Sequence, residues 1–119
     1  MTEPVSEQCL FCAIGAGEIA ASVVKDYEDV MVFRDVSPQA PVHLLVIPKA
    51  HHPNLDEVLR ADPHLGAKLL SAACRAANSE GLESSGYRLV ANTGSDGGQT
   101  VAHAHVHVLG GRAMAWPPG

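Results

Sequence analysis

Runs of apolar residues along the chain predict about five strands. The longest run, residues 42–47, ends at Pro48 and predicts a central strand that is buried on both faces. Residues 22–27 and 30–34 predict two short strands joined by a tight turn, and residues 87–91 predict another. Over residues 103–108, histidines alternate with apolar side chains with a period of two, which predicts the last strand over residues 100–109.

Helical patterns occupy three further segments. Residues 9–15 predict one or two helical turns, and residues 55–60 predict a short helix. We expect the main helix to begin after Asp62, a capping residue, with Pro63 in its first turn, and to end at Gly81. An apolar stripe at helical spacing would pack on the sheet: Leu65, Leu69, Ala72, Ala73 and Ala76.

The order of these elements predicts the fold class. A short helix, strands, a long helix and further strands, without βαβ alternation or an internal repeat, indicate an α+β fold with an antiparallel sheet of about five strands. At 119 residues, the chain (1–119) is expected to form a single domain. Residues 1–8 would be a flexible N-terminus, and residues 110–119 an extended tail for which Trp116 is the candidate anchor.

Charge and composition exclude some classes of partner. The formal net charge is −5 and no run of Lys or Arg occurs, which disfavours nonspecific binding to nucleic acid or to an anionic membrane. Membrane-spanning and signal-peptide patterns are absent, so we expect a cytoplasmic protein. In that reducing compartment, Cys9 and Cys12 favour a metal site over a disulfide.

Three histidines stand at alternate positions in the last predicted strand. A strand would put the rings of His103, His105 and His107 on one face, roughly 6.5 Å apart. Because imidazole titrates near neutral pH, such a row can supply a nucleophile, an acid and a positive charge.

A glycine-rich loop, residues 92–99, immediately precedes this row. Glycines let backbone N–H groups approach an anion closely, while Asn92, Gln99 and Thr100 add neutral donors. Together the loop and the row favour a phosphoryl centre that a neutral imidazole attacks.

Two other interpretations of the histidines stay open at this point. His-x-His on a strand also holds catalytic zinc. However, the first and third histidines of a straight strand would lie roughly 13 Å apart, so at most an adjacent pair could share one ion. Alternatively, the rings only fill space or face solvent.

The segment His-Ala-His-Val-His-Val-Leu-Gly-Gly, residues 103–111, resembles the signature of the histidine triad (HIT) superfamily. Residues 92–111, residues 33–49 and the Trp-Pro-Pro-Gly ending are similar to its Hint branch of nucleoside phosphoramidate hydrolases, and the resemblance extends over nearly the whole chain from Cys9. It implies the HIT fold and a homodimer in which one sheet continues across both chains. The long helices would pack at the interface, and Trp116 would contact the partner.

The resemblance also implies a reaction that needs no catalytic metal. His105 would attack the α-phosphorus of an AMP- or GMP-type phosphoramidate, and water would then hydrolyse the nucleotidyl-histidine. His107 would hold phosphate oxygens, while His43 and His103 would support the catalytic ring. The alternatives are a purine-nucleotide-binding regulatory module whose hydrolysis is incidental, and a zinc hydrolase.

The remaining implied roles concern nucleotide binding. Asn92 and the amides near Gly98 and Thr100 would hold the phosphate, and the Thr100 hydroxyl, where many Hint proteins carry Ser, would assist departure of the amine. Asp35 would bind the ribose hydroxyls. Other positions match the purine pocket or the tail beside it, although Ile14 and Phe33 fit a plain core equally well: Leu10, Phe11, Ile14, Ile19, Phe33, Val36 and Trp116.

The pair Cys9-Leu-Phe-Cys12 is similar to that of many bacterial HIT proteins, in which two cysteines and two histidines hold a structural zinc ion. The resemblance implies that Cys9, Cys12, His51 and His103 form this tetrahedral set, with the adjacent His52 as the rival of His51. The alternative is two reduced thiols in a core turn.

Overall fold

The computed structural model describes residues 9–119, so the predicted flexible segment 1–8 lies outside the described residues. Residues 9–119 contain three helices and five strands. In chain order they are α1 (Leu10–Gly15), β1 (Val23–Asp26), β2 (Val30–Arg34), β3 (Val42–Pro48), α2 (Leu55–Ala61), α3 (Pro63–Ser79), β4 (Tyr87–Val90) and β5 (Val106–Gly110). The predicted α+β class is confirmed. None of the helices within residues 9–119 has the length and apolar character needed to cross a membrane.

The five strands form one antiparallel sheet in the order β1-β2-β3-β5-β4. The central strand is β3, and its residues from His43 to Pro48 are all buried. This confirms the prediction from the apolar run at residues 42–47. Since β3 pairs with β5, the last strand lies next to the centre of the sheet.

One face of the sheet is covered by α3. Alternate residues of the central strands, such as Leu44, Val46 and Val108, pack with the helix in the larger core. The predicted stripe is buried as expected, because Leu65, Leu69, Ala72, Ala73 and Ala76 all lie in or beside this core. The side chain of Asp62 caps α3 by accepting from the His64 and Leu65 N–H groups.

The opposite face carries a smaller core together with the histidines. Phe11 and Ile14 of α1 pack with Met31 and Phe33 of β2 and with Leu45 and Ile47 of β3. His107 is opposite Leu45 in the ladder between β3 and β5, so its ring lies on this second face. One face of the sheet therefore carries the long helix, and the other carries the candidate catalytic histidines.

The last strand is shorter than predicted. It begins at Val106 rather than near residue 100, so His103 and His105 precede it and do not form a straight row of strand residues. In the β3–β5 register, Pro48 would be opposite Ala104, but proline has no N–H group for the ladder. The Ala104 N–H instead donates to the His52 carbonyl at 2.7 Å, which turns the chain out of the sheet.

The C-terminal tail is held by arginines rather than by Trp116. The Arg88 guanidinium donates to the Ala115 carbonyl at 2.8 Å, and Arg112 donates to the Gln39 carbonyl at 2.9 Å. The Trp116 side chain is 82% exposed, so within this chain it anchors nothing.

Candidate active site

The histidine cluster is assembled by β3, β5 and the segment that precedes β5. His103 and His105 are almost fully buried, and His43 of β3 is 6% exposed. The rings of His105 and His107 lie 5.0 Å apart, and those of His43 and His107 lie 5.1 Å apart. The site therefore contains a series of neighbouring imidazole rings that are largely shielded from solvent.

The backbone fixes the tautomer of His105. Its Nδ1 lies 2.7 Å from the His103 carbonyl oxygen. A carbonyl can only accept, so Nδ1 carries the proton, and in the neutral ring Nε2 keeps its lone pair. The ring of Phe11 packs edge-on against His105 at a centroid distance of 5.3 Å, which limits rotation of the imidazole. Nε2 of His105 thus carries the lone pair that a nitrogen nucleophile needs.

His107 has the opposite arrangement of proton and lone pair. The Gln39 N–H donates to Nδ1 of His43 at 3.0 Å, so in neutral His43 the proton resides on Nε2. That Nε2 lies 2.9 Å from Nδ1 of His107 and donates to it. The proton of neutral His107 is then on its own Nε2. One ring of the neighbouring pair offers a lone pair, and the other offers an N–H donor.

Burial keeps the hydrogen-bonded pair of His43 and His107, called the imidazole relay below, neutral. It lowers the pKa of His107 to about 4, and the charges of His105 and His43 add to the effect. Burial also lowers the pKa of His43, although the Asp35 carboxylate partly opposes this. Asp35 Oδ2 lies 3.4 Å from His43 Nε2, and Oδ1 accepts from the Ser37 N–H at 2.8 Å. The predicted ribose-binding residue therefore adjoins the imidazole relay.

A second cluster brings together Cys9, Cys12, His51 and His103, whose ligand atoms all lie within 4.8 Å of one another. Cys9 is the N-cap of α1, where its sulfur accepts from the Cys12 N–H at 3.3 Å. Nδ1 of His103 lies 3.3 Å from the Cys9 sulfur and 3.2 Å from Nδ1 of His51. His51, rather than its neighbour, occupies the fourth position.

The donor set fits a tetrahedral zinc ion. Zinc–ligand bonds of about 2.0–2.3 Å place the ligand atoms about 3.3–3.8 Å apart, close to the distances seen in the cluster. Nε2 of His103 lies 2.8 Å from the Pro48 carbonyl and donates to it, so the lone pair on Nδ1 is directed to the cluster. Burial lowers the pKa of His103 to about 4, and the neutral ring is the form that ligates.

The glycine loop folds back on itself just before the histidines. Gly94 and Gly98 adopt φ values of 74° and 82°, which residues with a side chain rarely adopt. The Gly98 N–H donates to the Ser95 carbonyl at 3.0 Å, so this amide maintains the turn instead of facing outward. Within residues 9–119, the Thr100 N–H has no hydrogen-bond partner, so it is one of the loop amides still available to an anion and the one nearest in sequence to the histidines.

Gln99 does not serve as the predicted anion donor. Its side-chain N–H groups donate to the Pro53 carbonyl at 2.6 Å and to the Val101 carbonyl at 2.9 Å. Its Oε1 accepts from the Gly94 N–H at 3.0 Å. Both donors are therefore committed within the chain, which the sequence pattern alone did not indicate.

The implied purine-pocket residues divide by exposure. Leu10, Ile19 and Val36 are exposed, the last at 97%. Phe11, Ile14 and Phe33 are buried in the smaller core, so they support the site from beneath. Asn92 is half-buried and Thr100 is exposed beside the histidine segment.

An antiparallel sheet with His-x-His-x-His leading into its last strand defines a histidine triad protein. Comparison with protein-family models matches residues 16–114 to the HIT domain, and the chain belongs to the HIT family.

Similar proteins are found in several bacteria. An uncharacterized HIT-like protein of Synechococcus elongatus is 50% identical over 115 residues, which cover 97% of this chain and 100% of that protein. Among solved structures, a HIT family hydrolase from Legionella pneumophila is 52% identical, with a TM-score of 0.90 over 94% of this chain and 100% of that one. A histidine triad protein from Clostridium difficile is 34% identical, with a TM-score of 0.88 and 97% coverage of both chains.

Proposed function

We propose that the protein is a hydrolase that cleaves the P–N bond of purine nucleoside 5′-phosphoramidates, such as conjugates of AMP with an amine or with lysine. The reaction would proceed through a covalent nucleotidyl group on His105. The observation that carries the proposal is the opposite protonation of two adjacent rings: His105 Nδ1 is bonded to a carbonyl, whereas His107 Nδ1 accepts from His43.

In the first step, the Nε2 lone pair of His105 forms a bond to phosphorus and the bond from phosphorus to the amine breaks. The leaving nitrogen keeps the electron pair and receives the proton of the Thr100 hydroxyl, which is replaced by a proton from the solvent. The imidazole ring becomes positively charged as the bond forms, so the hydrogen bond from its Nδ1 to the His103 carbonyl strengthens. A covalent intermediate divides one difficult displacement into two easier ones.

In the second step, water attacks phosphorus and the bond to His105 breaks. The electron pair returns to Nε2, a proton from the water passes to the solvent, and the nucleoside monophosphate is released. During both steps, His107 Nε2–H, Asn92 and the Thr100 amide would stabilise charge on the phosphate oxygens. Neutral donors suit this task here, because burial lowers the pKa of His107 to about 4.

The nucleoside would lie next to the triad. The Asp35 carboxylate would accept hydrogen bonds from the ribose hydroxyls, since it adjoins His43 and is only partly buried. Leu10, Ile19 and Val36 are exposed apolar side chains that would contact the purine base.

The Cys9–Cys12–His51–His103 cluster would hold a structural zinc ion. When bound, the ion supplies cross-linking of α1 to the segment before β5 and no chemistry at phosphorus. All four ligand atoms come from Cys9, Cys12, His51 and His103. His105 is not a ligand, so its Nε2 remains available for the attack on phosphorus.

We further propose that two chains form a homodimer with one continuous sheet. β4 is an edge strand of the sheet, and edge strands offer unpaired backbone groups to a second chain. The exposed Trp116 lies in the tail that Arg88 of β4 holds, so it is available for the partner. Light scattering at micromolar concentration should give the mass of two chains, and a monomer mass would contradict the proposal.

The proposed reaction is tested by turnover of an AMP–lysine conjugate. The wild-type protein should release AMP, whereas His105→Ala should lose activity by at least about a thousandfold because the nucleophile is gone. His64→Ala is the matched control, since His64 is an exposed histidine at the start of α3 on the other face.

Other outcomes contradict specific parts of the proposal. If wild type and His105→Ala both bind AMP and neither turns over the conjugate, the protein is a nucleotide-binding module. If His105→Ala keeps wild-type turnover, the nucleophile is assigned wrongly.

A further inference from the structure

We propose that Gln99 is a positioning residue that fixes the glycine loop against the histidine segment, so that the Thr100 amide is held ready for the phosphate. This inference rests on the proposed function. It assigns Gln99 a role through other groups, because neither of its side-chain N–H donors is left to contact a substrate.

The side chain of Gln99 links three separate pieces of backbone. Its Nε2 donates to Val101, two residues before His103, and to Pro53, in the turn that follows β3. Its Oε1 accepts from Gly94 at the start of the loop. One amide group therefore connects the loop, the segment before β5 and the turn after β3.

The backbone of the same residue closes the loop a second time. The Gln99 N–H donates to the Gly94 carbonyl at 3.0 Å, while the Gly94 N–H donates to the Gln99 side chain at 3.0 Å. This reciprocal pair holds the two ends of residues 94–99 together. Thr100 follows directly, so the position of its N–H depends on this closure.

The turn after β3 is also joined to the histidine segment by the bond from the Ala104 N–H to the His52 carbonyl. Gln99 thus adds the loop to a unit that already contains the turn and the histidines. A glutamine is suited to this position because it supplies two donors and one acceptor on a side chain long enough to reach all three carbonyl and amide partners.

Preorganised donors stabilise a transition state only if they do not have to be reoriented during the reaction. Without the Gln99 amide, the loop would keep its backbone closure but lose its link to Val101 and Pro53. The Thr100 N–H would then sample positions away from the phosphate oxygens, and the cost would appear mainly in kcat.

The experiment compares wild type, Gln99→Met and Gln99→Glu with an AMP–lysine conjugate, measuring kcat and KM separately at 25 °C. Methionine keeps the length of the side chain but neither donates nor strongly accepts. We expect Gln99→Met to lower kcat/KM by about ten- to a hundredfold, with most of the loss in kcat. The matched control is Ser95→Ala, which removes an exposed hydroxyl from the same loop and keeps the carbonyl that accepts from Gly98; it should stay within about twofold of wild type.

Gln99→Glu provides a readout that a merely structural role would not move. The carboxylate would accept from the Gly94 N–H but repel the two carbonyls, and this environment raises its pKa. A protonated carboxyl group can donate again to one carbonyl. The ratio of variant to wild-type kcat/KM should therefore rise as the pH is lowered from 7.5 to 5.5.

Three results would overturn the inference, and they are distinguishable. If wild type turns over the conjugate and both Gln99 variants match it within twofold while folded, Gln99 does not position the loop for catalysis. If wild type itself fails to turn over the conjugate, the proposed function falls and the role of Gln99 falls with it. Should Gln99→Met fail to fold, the pH ratio of Gln99→Glu decides: a flat ratio contradicts the inference.

Discussion

At the scale of single residues, the site depends on where each imidazole carries its proton. The His103 carbonyl fixes the proton of His105, and the Gln39 amide fixes that of His43, which in turn fixes that of His107. The partners of His105 and His43 are backbone groups, whereas the partner of His107 is the His43 side chain. Three rings of identical chemistry thereby acquire different properties.

The depressed pKa of His107 predicts how stability depends on pH. Its pKa is about 4 in the folded chain against 6.5 in the unfolded chain, so between these values the unfolded chain binds more protons. The free energy of unfolding should therefore fall as the pH is lowered from about 6.5 towards 4. Urea denaturation at several pH values should show that the free energy of unfolding falls less steeply with decreasing pH in His107→Asn than in wild type.

His64→Asn controls for removal of a histidine as such. His64 is exposed, so its variant should keep the wild-type slope of stability against pH. Equal slopes for wild type and His107→Asn would contradict the assignment of this pH dependence to the relay.

Sequence reasoning at this scale named the residues but not their geometry. The alternation of residues 103–107 predicted three rings on one face of a strand, and the resemblance to bacterial HIT proteins implied a cluster of the two cysteines with His51 or His52. The choice between these histidines depends on the path of the turn after β3, which no periodicity describes. The commitment of Gln99 to internal carbonyls was likewise invisible, because its partners are distant in the chain or are backbone groups.

At the scale of elements, the placement of strands and helices was largely predictable. The continuous apolar run gave β3, and the combination of Asp62, Pro63 and the apolar stripe gave α3. The start of β5 was wrong, since alternation of side chains continues after the hydrogen-bonded ladder has ended. The missing N–H of Pro48 on the neighbouring strand is the cause, and only the strand register reveals it.

The Cys9–Cys12–His51–His103 cluster joins α1, the turn after β3 and the segment before β5, and removal of the proposed zinc ion is a test at this scale. Purified protein should contain one zinc ion per chain, and a strong chelator should lower its melting temperature, because the ion contributes to the folded state only. Activity of the remaining folded protein at low temperature should survive. Immediate loss of activity without unfolding would instead favour a zinc hydrolase.

Neighbouring histidines supply the matched control for this cluster. His51→Asn should reduce the zinc content well below one ion per chain, whereas His52→Asn should leave it unchanged, since only His51 adjoins Cys12 and His103. Equal zinc content in wild type and His51→Asn would contradict the assignment of this ligand.

At the scale of the whole molecule, the sheet separates the main hydrophobic core from the candidate active site. The long helix and the larger core occupy one face, while the triad, the loop and the zinc-type cluster occupy the other. The class of fold followed from the order of elements, but the two faces could be assigned only once the strand order was known. Membership in the HIT family agrees with this arrangement.

The central claim, a nucleotide transiently bonded to His105, is tested most directly by the stereochemistry at phosphorus. A phosphoramidate made chiral by one sulfur and hydrolysed in isotopically labelled water reports how many displacements occur. Two successive in-line displacements, the first by His105 and the second by water, predict net retention of configuration. Net inversion would show direct attack by water and would contradict the account.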